Sequence, residues 1–425
     1  MGWLLLIVSA TLVVGLGVGF ATQSGSSAQA SAQAPDGYVV PMEPIRVFDS
    51  RTTASPLATS PNGSETVIDL FGSLAVTSDV IAVFANVTVV DPGANGYLII
   101  HPTGRPRPNT SSSNFARGMT VATSTLVARG PVGTTAVTVV TPEANATAHV
   151  IIDVFALVTS DPTRVGATVL RTVTPGRVHD TRSTTRLGAG EGRRIPIAGR
   201  SLDGSPDVVP SDGSVSAVAI NITVVNTSST SRSTWIATTP GTSLVNVDRG
   251  RLAANFALVP LESDGSIDVY NDTGSADVII DVWGYATDNG VSPSAAGRIV
   301  VLDAPFRAID SRPEPLGPGR AEPWSFVDFN DSLANSRVGL GEVSAIIGNL
   351  TGTDLRRRYP GLSVETFLST FPDGGSLPST SNLNLVEGET KSNLGVYRLA
   401  NEAMSVYNDD GHVNYVLDVS AVIVE

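Results

Sequence analysis

The sequence predicts an all-β protein: three tandem β-sandwich domains, jelly-roll-like, that follow an N-terminal signal or anchor segment. Hydrophobic residues make up 41% of the 425 residues and charged residues only 16%, which is typical of strands rather than of charge-rich surface helices. Runs of Val, Ile and Thr alternate with turn clusters rich in Gly, Pro, Asn and Asp. No segment shows a sustained apolar period of 3.6 residues. A closed β-barrel in each domain is the alternative.

One set of motifs returns three times, and it defines the domains. The hexapeptide RVFDSR at 46–51 recurs as RVHDTR at 177–182 and as RAIDSR at 307–312. An apolar strand with one asparagine, a Ser-x-x-Asn element and a closing strand with one aspartate follow each copy in the same order. The strand asparagines are Asn86, Asn221 and Asn349, the Ser-x-x-Asn elements are 111–114, 243–246 and 379–382, and the closing aspartates are Asp153, Asp281 and Asp418. The repeat therefore predicts β domains at 36–160, 165–288 and 296–425.

The first domain shows eight strand-like runs. They lie around 45–50, 65–70, 80–90, 97–101, 112–116, 120–128, 135–141 and 148–158. The run VIAVFANVTVV at 80–90 is apolar on both faces, which predicts a central strand. The copies lie 131 and 130 residues apart, a period far longer than that of solenoid repeats, so each domain is expected to bury its own core. Short linkers predict a compact or rod-like row.

The N-terminal residues 1–34 predict a signal peptide or an N-terminal membrane anchor. An apolar run over 1–20 precedes the small-residue stretch AQASAQA at 28–34. Residues 36–425 are therefore expected in the extracellular space or the cell envelope, with membrane contact only through this segment if it is not cleaved. The chain has no cysteine, which excludes disulfides.

The order of motifs R-x-x-D-[ST]-R, N-x-T, S-x-x-N and D-V resembles a repeat of secreted actinobacterial proteins. The resemblance covers nearly the whole chain after the N-terminal segment, and it implies a non-catalytic extracellular or envelope module. The family pattern places an asparagine partway along the strand that follows Ser-x-x-Asn. Asn255 and Asn393 match it, whereas the first domain is expected to carry Ser124 there.

The repeated charged residues predict a structural polar network. A lone aspartate in an apolar strand is costly to bury unless it is paired, and arginine can bridge two carboxylates. Residues two apart in a strand face the same way, so the aspartate and the second arginine of each hexapeptide should share a face. We expect that arginine to reach the closing aspartate, while the strand asparagine binds a nearby turn backbone. The predicted pairs are Arg51–Asp153, Arg182–Asp281 and Arg312–Asp418, with Asp49, Asp180 and Asp310 beside them.

These observations favour a structural or adhesion module without catalytic activity; a carbohydrate- or cell-wall-binding protein is the alternative. An enzyme is least expected, because the sequence has no HExxH, G-x-S-x-G or P-loop motif. The net charge of -13 opposes binding to nucleic acid. No cofactor or metal is expected, and the Asn-Asp-x-Gly segments 270–277 and 407–414 are interpreted as turns rather than calcium sites. The expected partners are a cell-wall glycan or an envelope protein, although Trp235, Trp283 and Trp324 do not occupy matching positions of a shared sugar platform.

Overall fold

A computed structural model describes residues 36–52, 55–229, 233–239, 241–288, 296–327, 343–357 and 364–424. The predicted signal or anchor segment at 1–34 lies outside these ranges. Within them, almost every regular element is a β-strand, as predicted. None of the helices in the described ranges has the length and apolar character needed to cross a membrane.

The first repeat contains all eight predicted strands and one additional short strand. Its first strand begins at Asp36, well before the predicted start near residue 45. A four-residue helix, α1 (Leu70–Ser73), follows the third strand. The strands are β1 (Asp36–Asp49), β2 (Leu57–Ala58), β3 (Ser64–Ile68), β4 (Val80–Val90), β5 (Gly96–Pro102), β6 (Ser113–Phe115), β7 (Val121–Ala128), β8 (Thr135–Val140) and β9 (Thr147–Thr159).

The second and third repeats each contain eight strands in the same order. Those of the second repeat are β10 (Val169–Asp180), β11 (Glu191–Pro196), β12 (Val215–Asn226), β13 (Ser233–Ala237), β14 (Val245–Asp248), β15 (Leu252–Pro260), β16 (Ser266–Asn271) and β17 (Ala276–Thr287). Those of the third repeat are β18 (Arg298–Asp310), β19 (Arg320–Ser325), β20 (Val343–Arg356), β21 (Glu365–Pro372), β22 (Leu383–Val386), β23 (Lys391–Arg398), β24 (Ala403–Asn408) and β25 (His412–Val424).

Each repeat is a sandwich of two four-stranded antiparallel sheets, which we call the inner and the outer sheet. The inner sheets have the orders β1-β9-β4-β7, β10-β17-β12-β15 and β18-β25-β20-β23, and the outer sheets β3-β8-β5-β6, β11-β16-β13-β14 and β19-β24-β21-β22. When the strands of a repeat are numbered along the chain without the short β2, the inner sheet has the order 1-8-3-6 and the outer sheet the order 2-7-4-5 in all three repeats. These are the strand orders of a two-sheet jelly roll. No sheet closes on itself in the described residues, so the barrel alternative is wrong.

The three sandwiches each enclose an apolar core, as predicted, and they also share a fourth. Strand β4 shows how one strand serves two cores. Val83 and Val87 point into the first sandwich, whereas Ala82 and Phe84 point to the shared core. The apolar character of both faces of this strand, noted in the sequence, therefore reflects burial between a sandwich and its neighbours.

The shared core, which we call the central core, crosses all three repeats. Its rings form a chain: the Phe84 and Phe256 centroids are 6.3 Å apart, and Phe256 stacks on Trp283 at 6.0 Å. Trp283 in turn lies 6.1 Å from Tyr397, a ring of the third sandwich core. Residues Asp36 and Gly37 of β1 also pair with β18, which joins the inner sheets of the first and third repeats. The chain from residue 36 onward is therefore one compact unit and not a rod-like row of domains.

Candidate functional site

The first arginine of each hexapeptide, and not the second, holds the closing aspartate. Arg46 Nε donates to Asp153 Oδ1 at 2.9 Å, and Arg46 Nη2 donates to Asp153 Oδ2 at 3.1 Å. The bonds from Arg177 Nε to Asp281 and from Arg307 Nε to Asp418 are also 2.9 Å long. The sequence-based prediction of the pairs Arg51–Asp153, Arg182–Asp281 and Arg312–Asp418 is wrong.

A β-bulge explains the difference. The register between β1 and β9 shifts by one residue between Arg46 and Phe48, and the same shift occurs at the equivalent points of the other two repeats. A bulge re-aims side chains and breaks the two-residue alternation on which the prediction relied. It allows Arg46, three residues before Asp49, to approach that aspartate as well, with 3.6 Å between Nη1 and Oδ2.

The second arginine instead closes a turn within its own hexapeptide. The Arg51 backbone N–H donates to Asp49 Oδ1 at 3.0 Å, and Arg51 Nη2 donates to Oδ2 at 2.7 Å. These hydrogen bonds from Arg51 hold the pKa of Asp49 below its ordinary value, although partial burial opposes the shift. Asp180 with Arg182 and Asp310 with Arg312 form the same turn. The hexapeptide is thus one Asx turn plus one arginine that reaches across the sheet.

The closing aspartates are enclosed. The side chains of Asp153, Asp281 and Asp418 are only 1–3% exposed. Burial raises the pKa of Asp281 to about 6, although Arg177 opposes the shift, and burial likewise raises the pKa of Asp418 against the pull of Arg307. A carboxylate that is buried to this extent can remain charged only beside a close cationic partner.

The strand asparagines lie beside these pairs and connect each repeat to another. In register, Arg46 is opposite Asp153 and Asp153 is opposite Asn86, a polar row that the other two repeats reproduce. Asn86 Nδ2 donates to the Ser243 carbonyl at 2.6 Å, in the second repeat. The expected partner was a nearby turn backbone; the asparagines do bind backbone carbonyls, but these carbonyls belong to a neighbouring repeat.

The connections between repeats form a closed cycle. Asn221 of the second repeat donates to the Ser381 carbonyl of the third at 2.7 Å. Asn349 of the third repeat donates to the Ser124 carbonyl of the first at 3.3 Å. Strands β7, β15 and β23 each pack against the other two at the centre of this cycle. The repeats are therefore arranged about a pseudo-threefold axis.

Two correspondences between the repeats that were drawn from the sequence are shifted by one or two residues in the structure. Ladder register places Asn255 opposite Ile222 and Asn393 opposite Leu350, and the residue that matches them in the first repeat is Thr123, opposite Val87, rather than Ser124. The Ser-x-x-Asn element of the third repeat is 381–384 rather than 379–382. In each repeat the last residue of this element lies opposite an aromatic residue: Asn114 opposite Tyr97, Asn246 opposite Trp235 and Asn384 opposite Phe367.

These aromatic residues form a repeated surface feature that the tryptophan positions alone did not reveal. The sequence comparison failed because the shared position holds Tyr, Trp and Phe in turn. Each ring is at least partly exposed, and Trp235 and Phe367 pack on neighbouring tyrosines, Tyr270 at 5.6 Å and Tyr407 at 6.0 Å. The signal that could have shown it is an aromatic residue followed directly by an aliphatic one in β5, β13 and β21: Tyr97–Leu98, Trp235–Ile236 and Phe367–Leu368.

Two cavities open beside the pseudo-threefold axis. The first, which we call the axial pocket, has a volume of about 420 Å³ and lies where the three Ser-x-x-Asn elements meet. The second, the side groove, has a volume of about 470 Å³ and lies between the second and third repeats. Both volumes are typical of small-ligand sites. The residues that line both cavities are Arg251, Leu252, Asn384, Glu389 and Lys391.

The Asn-Asp-x-Gly segments connect β16 to β17 and β24 to β25, and their asparagines bind the backbone. Asn271 Nδ2 donates to the Gly188 carbonyl at 2.8 Å, and Asn408 Nδ2 donates to the Leu316, Gly317 and Gly411 carbonyls at 3.0–3.1 Å. The hydroxyl groups of Thr234 and Thr366 donate to the side-chain amide oxygens of Asn271 and Asn408, respectively. The described residues contain no group of three or more His, Cys, Asp or Glu side chains placed to hold a metal ion.

No protein-family model matches the chain, and no curated protein matches it. Thirteen chains of solved structures match. Two of them are described as "Life in the extremes: atomic structure of Sulfolobus Turreted Icosahedral Virus" and "The Triple Jelly Roll Fold and Turret Assembly in an Archaeal Virus". Each is 8% identical with a TM-score of 0.18, and the matches cover 91% of this chain and 91% and 90% of theirs. A likeness this weak says nothing about function, and the jelly-roll assignment stands on strand order alone.

Proposed function

We propose that the protein is a non-catalytic structural module of the extracellular space or the cell envelope, where its three repeats act as one rigid body for attachment to a wall glycan or an envelope protein. The observation that carries this proposal is the use of the repeated polar residues. In every repeat they close a turn or join one sandwich to the next. Residues used in this way explain the threefold repetition without any active site.

The geometry of the acids supports the absence of catalysis. Glycoside hydrolysis needs two carboxyl groups that flank an open cleft with a substrate between them. Asp49 and Asp153 are both buried, and Arg46 lies between them as a common partner. A perturbed pKa at such a position reflects an ion-pair network more simply than a catalytic acid.

The central core supports the role of a rigid body. Interfaces between independently moving domains resemble transient protein contacts and are comparatively polar. Here the interface contains a chain of aromatic rings from all three repeats, and Phe84, Phe256 and Trp283 are each about 1% exposed. Such an interface resists hinge motion between the repeats, as a spacer or attachment module requires.

The proposal is tested with residues 36–425 and with the full chain. The purified protein is incubated with cell-wall polysaccharide and peptidoglycan, and released reducing ends and soluble fragments are measured; we expect none above a heat-unfolded control. The full chain, expressed in an exporting bacterial host, is expected in the medium or envelope fraction. Saturable product release that Asp153→Asn abolishes, or recovery of the folded protein in the cytosol alone, would contradict the proposal.

A further inference from the structure

The axial pocket and the side groove are two parts of one continuous surface. Glu389 lies between them and binds both nearby cations: its carboxylate is 2.8 Å from Lys391 Nζ and 3.5 Å from an Arg251 nitrogen. Lys391 Nζ also donates to the Leu252 carbonyl at 3.3 Å, which ties the third repeat to the second at this point. A ligand that extends across this cluster would occupy both cavities, so the site suits an oligomer rather than a single small ring.

The axial pocket offers a set of hydrogen-bond acceptors. In each Ser-x-x-Asn element the asparagine Nδ2 donates to the serine hydroxyl of the same element, at 3.1 Å for Asn114 and 3.2 Å for Asn246 and Asn384. No donor among the described residues bonds the Oδ1 atoms of these three amides, although all three line the pocket. A side-chain amide oxygen accepts from hydroxyl groups. Three such acceptors about one axis favour a polyhydroxylated ligand.

Each cavity also contains one aromatic ring that is at least partly exposed, and the axial pocket is lined in addition by the buried Phe115. Tyr97, which is 38% exposed, lines the axial pocket, and the half-buried Phe367 lines the side groove. An exposed ring beside directional polar groups is the arrangement that binds a ligand with one apolar and one polar face. Pyranose rings have this character, because their C–H groups form an apolar face and their hydroxyls lie at the rim.

The charges of the site select against an anionic ligand. Four acids line the two cavities, Asp248, Glu365, Glu389 and Asp409, against two bases, Arg251 and Lys391. Glu389 is within ion-pair distance of both bases and offsets part of their positive charge. The remaining negative charge repels anions.

We infer that the axial pocket and the side groove together bind a neutral oligosaccharide, with sugar rings on Tyr97 and Phe367 and sugar hydroxyls on the asparagine amides. This inference goes beyond the structural role proposed above and does not depend on it. One ligand would bind per chain, because the pseudo-threefold axis passes through the protein once.

A chemical feature of the chain gives a direct test. Lys391 is its one lysine, and it lines both cavities. The rate of Lys391 acetylation by an N-hydroxysuccinimide ester is measured by mass spectrometry on residues 36–425, with the N-terminal amine as internal control. The probes are chitotriose, cellotriose and maltotriose at millimolar concentration, and trigalacturonate as the anionic comparison. At least one neutral trisaccharide is expected to slow acetylation of Lys391 several-fold without affecting the N-terminal amine.

Matched variants locate the binding surface. Tyr97→Ala is expected to weaken calorimetric binding of the protecting trisaccharide by about tenfold, the loss typical of an anchoring ring. Trp235→Ala removes the ring at the matching position of the second repeat, which lines neither cavity, and is expected to leave affinity unchanged. Thermal unfolding of both variants checks that the fold is intact.

Three results would overturn the inference. The first is no protection of Lys391 by any neutral trisaccharide, together with no heat of binding. The second is equal or stronger protection by trigalacturonate. The third is loss of affinity in Trp235→Ala that equals the loss in Tyr97→Ala when both variants are folded. The wall-degradation and export tests of the structural role are unaffected by these outcomes.

Discussion

Two arginines of one hexapeptide perform different tasks, and the difference is one of burial. Arg177 is 18% exposed at its side chain and is the cation that faces the fully buried Asp281, whereas Arg182 is 52% exposed and pairs with Asp180 at the surface. An exposed ion pair contributes little to stability, because water already solvates both partners. A buried charge that loses its partner has no such compensation.

The first prediction compares these two arginines. Arg177→Met leaves Asp281 without its cation and is expected to lower the free energy of unfolding by about 3–5 kcal/mol. Arg182→Met, the matched control in the same hexapeptide, is expected to cost about 0–1 kcal/mol. Urea denaturation followed by circular dichroism measures both. Equal losses in the two variants would contradict the prediction, because burial of the ion pair would then not determine the effect.

The second prediction concerns pH. The pKa of Asp281 in the folded protein is raised from 3.8 to about 6, so the folded state binds a proton that the unfolded chain releases in this range. The stability that this group contributes is therefore fully present below pH 3.8 and is lost as pH rises through about 6. We expect the stability of the wild type relative to Asp281→Asn to fall by about 3 kcal/mol across this window.

Asp180→Asn is the control for the sign of this effect. Although burial opposes it, hydrogen bonding from Arg182 holds the pKa of Asp180 below its ordinary value. The stability that Asp180 contributes is present above its ordinary pKa and is lost as pH falls, so the stability of the wild type relative to Asp180→Asn should change in the opposite direction. Thermal unfolding across the acidic range measures both, and a flat difference for Asp281→Asn would refute the assignment.

Among the elements, the equivalent strands β7, β15 and β23 differ in their buried side-chain hydrogen bonds. In β15, Asn255 Nδ2 donates to Asn86 Oδ1 at 2.9 Å and to the Leu244 carbonyl at 2.8 Å. In β23, Asn393 makes the matching bonds to Asn221 and to the Asn382 carbonyl. In β7, Thr123 instead bonds the hydroxyl of Ser113 within its own repeat. Hydrogen bonds between asparagine amides therefore connect the second repeat to the first and the third repeat to the second, and among the described residues β7 makes no matching bond to the third repeat.

The third prediction follows from this difference. Asn255→Thr copies the sequence of the first repeat into the second and removes the donor to the buried Asn86 oxygen. An unsatisfied buried acceptor is expected to lower the free energy of unfolding by about 1–3 kcal/mol. Thr123→Asn, the reverse change in β7, should not destabilise the protein by a comparable amount, because it can supply the missing link to Asn349. Chemical denaturation of both variants checks the pair.

The strands were predictable from sequence because their signals are local. The apolar runs and the turn residues fix eight strands per repeat, and the unpaired acid in each closing strand predicts that a cation must face it. The identity of that cation was not predictable, because a bulge of one residue between Arg46 and Phe48 has no clear sequence signal. The partners of Asn86 and Asn221 were not predictable either, because they lie more than 150 residues away in another repeat.

The central core determines how the whole molecule unfolds. Phe256 of the second repeat contacts two rings of the first repeat, with centroids 6.3 Å from Phe84 and 6.5 Å from Phe155. A repeat separated from its neighbours would expose this apolar surface to water, so partial unfolding of one repeat destabilises the other two. The molecule should therefore behave as one cooperative unit despite its three sandwich cores.

The fourth prediction tests this cooperativity. Phe256→Ala opens a cavity in the central core and is expected to lower the free energy of unfolding by about 3–5 kcal/mol. The unfolding curves from far-ultraviolet circular dichroism and from tryptophan fluorescence should still coincide, because the repeats unfold together. Fluorescence reports on the second and third repeats and on the central core, through Trp235, Trp283 and Trp324. Separate transitions in the wild type would show that the repeats are independent.

The arrangement about a pseudo-threefold axis has a consequence for the residues that follow Gly118, Gly250 and Gly388. These glycines have positive φ angles of 71°, 69° and 81°, and the next residues are Met119, Arg251 and Glu389. An assembly of three identical chains would place one side chain in triplicate around the axis, and a charged one would meet two copies of its own sign. A single covalent chain can place an apolar group, a cation and an anion at the three equivalent positions around the axis. The three sides of the axis therefore differ in charge, and the three rotational orientations of a molecule bound on the axis are not equivalent.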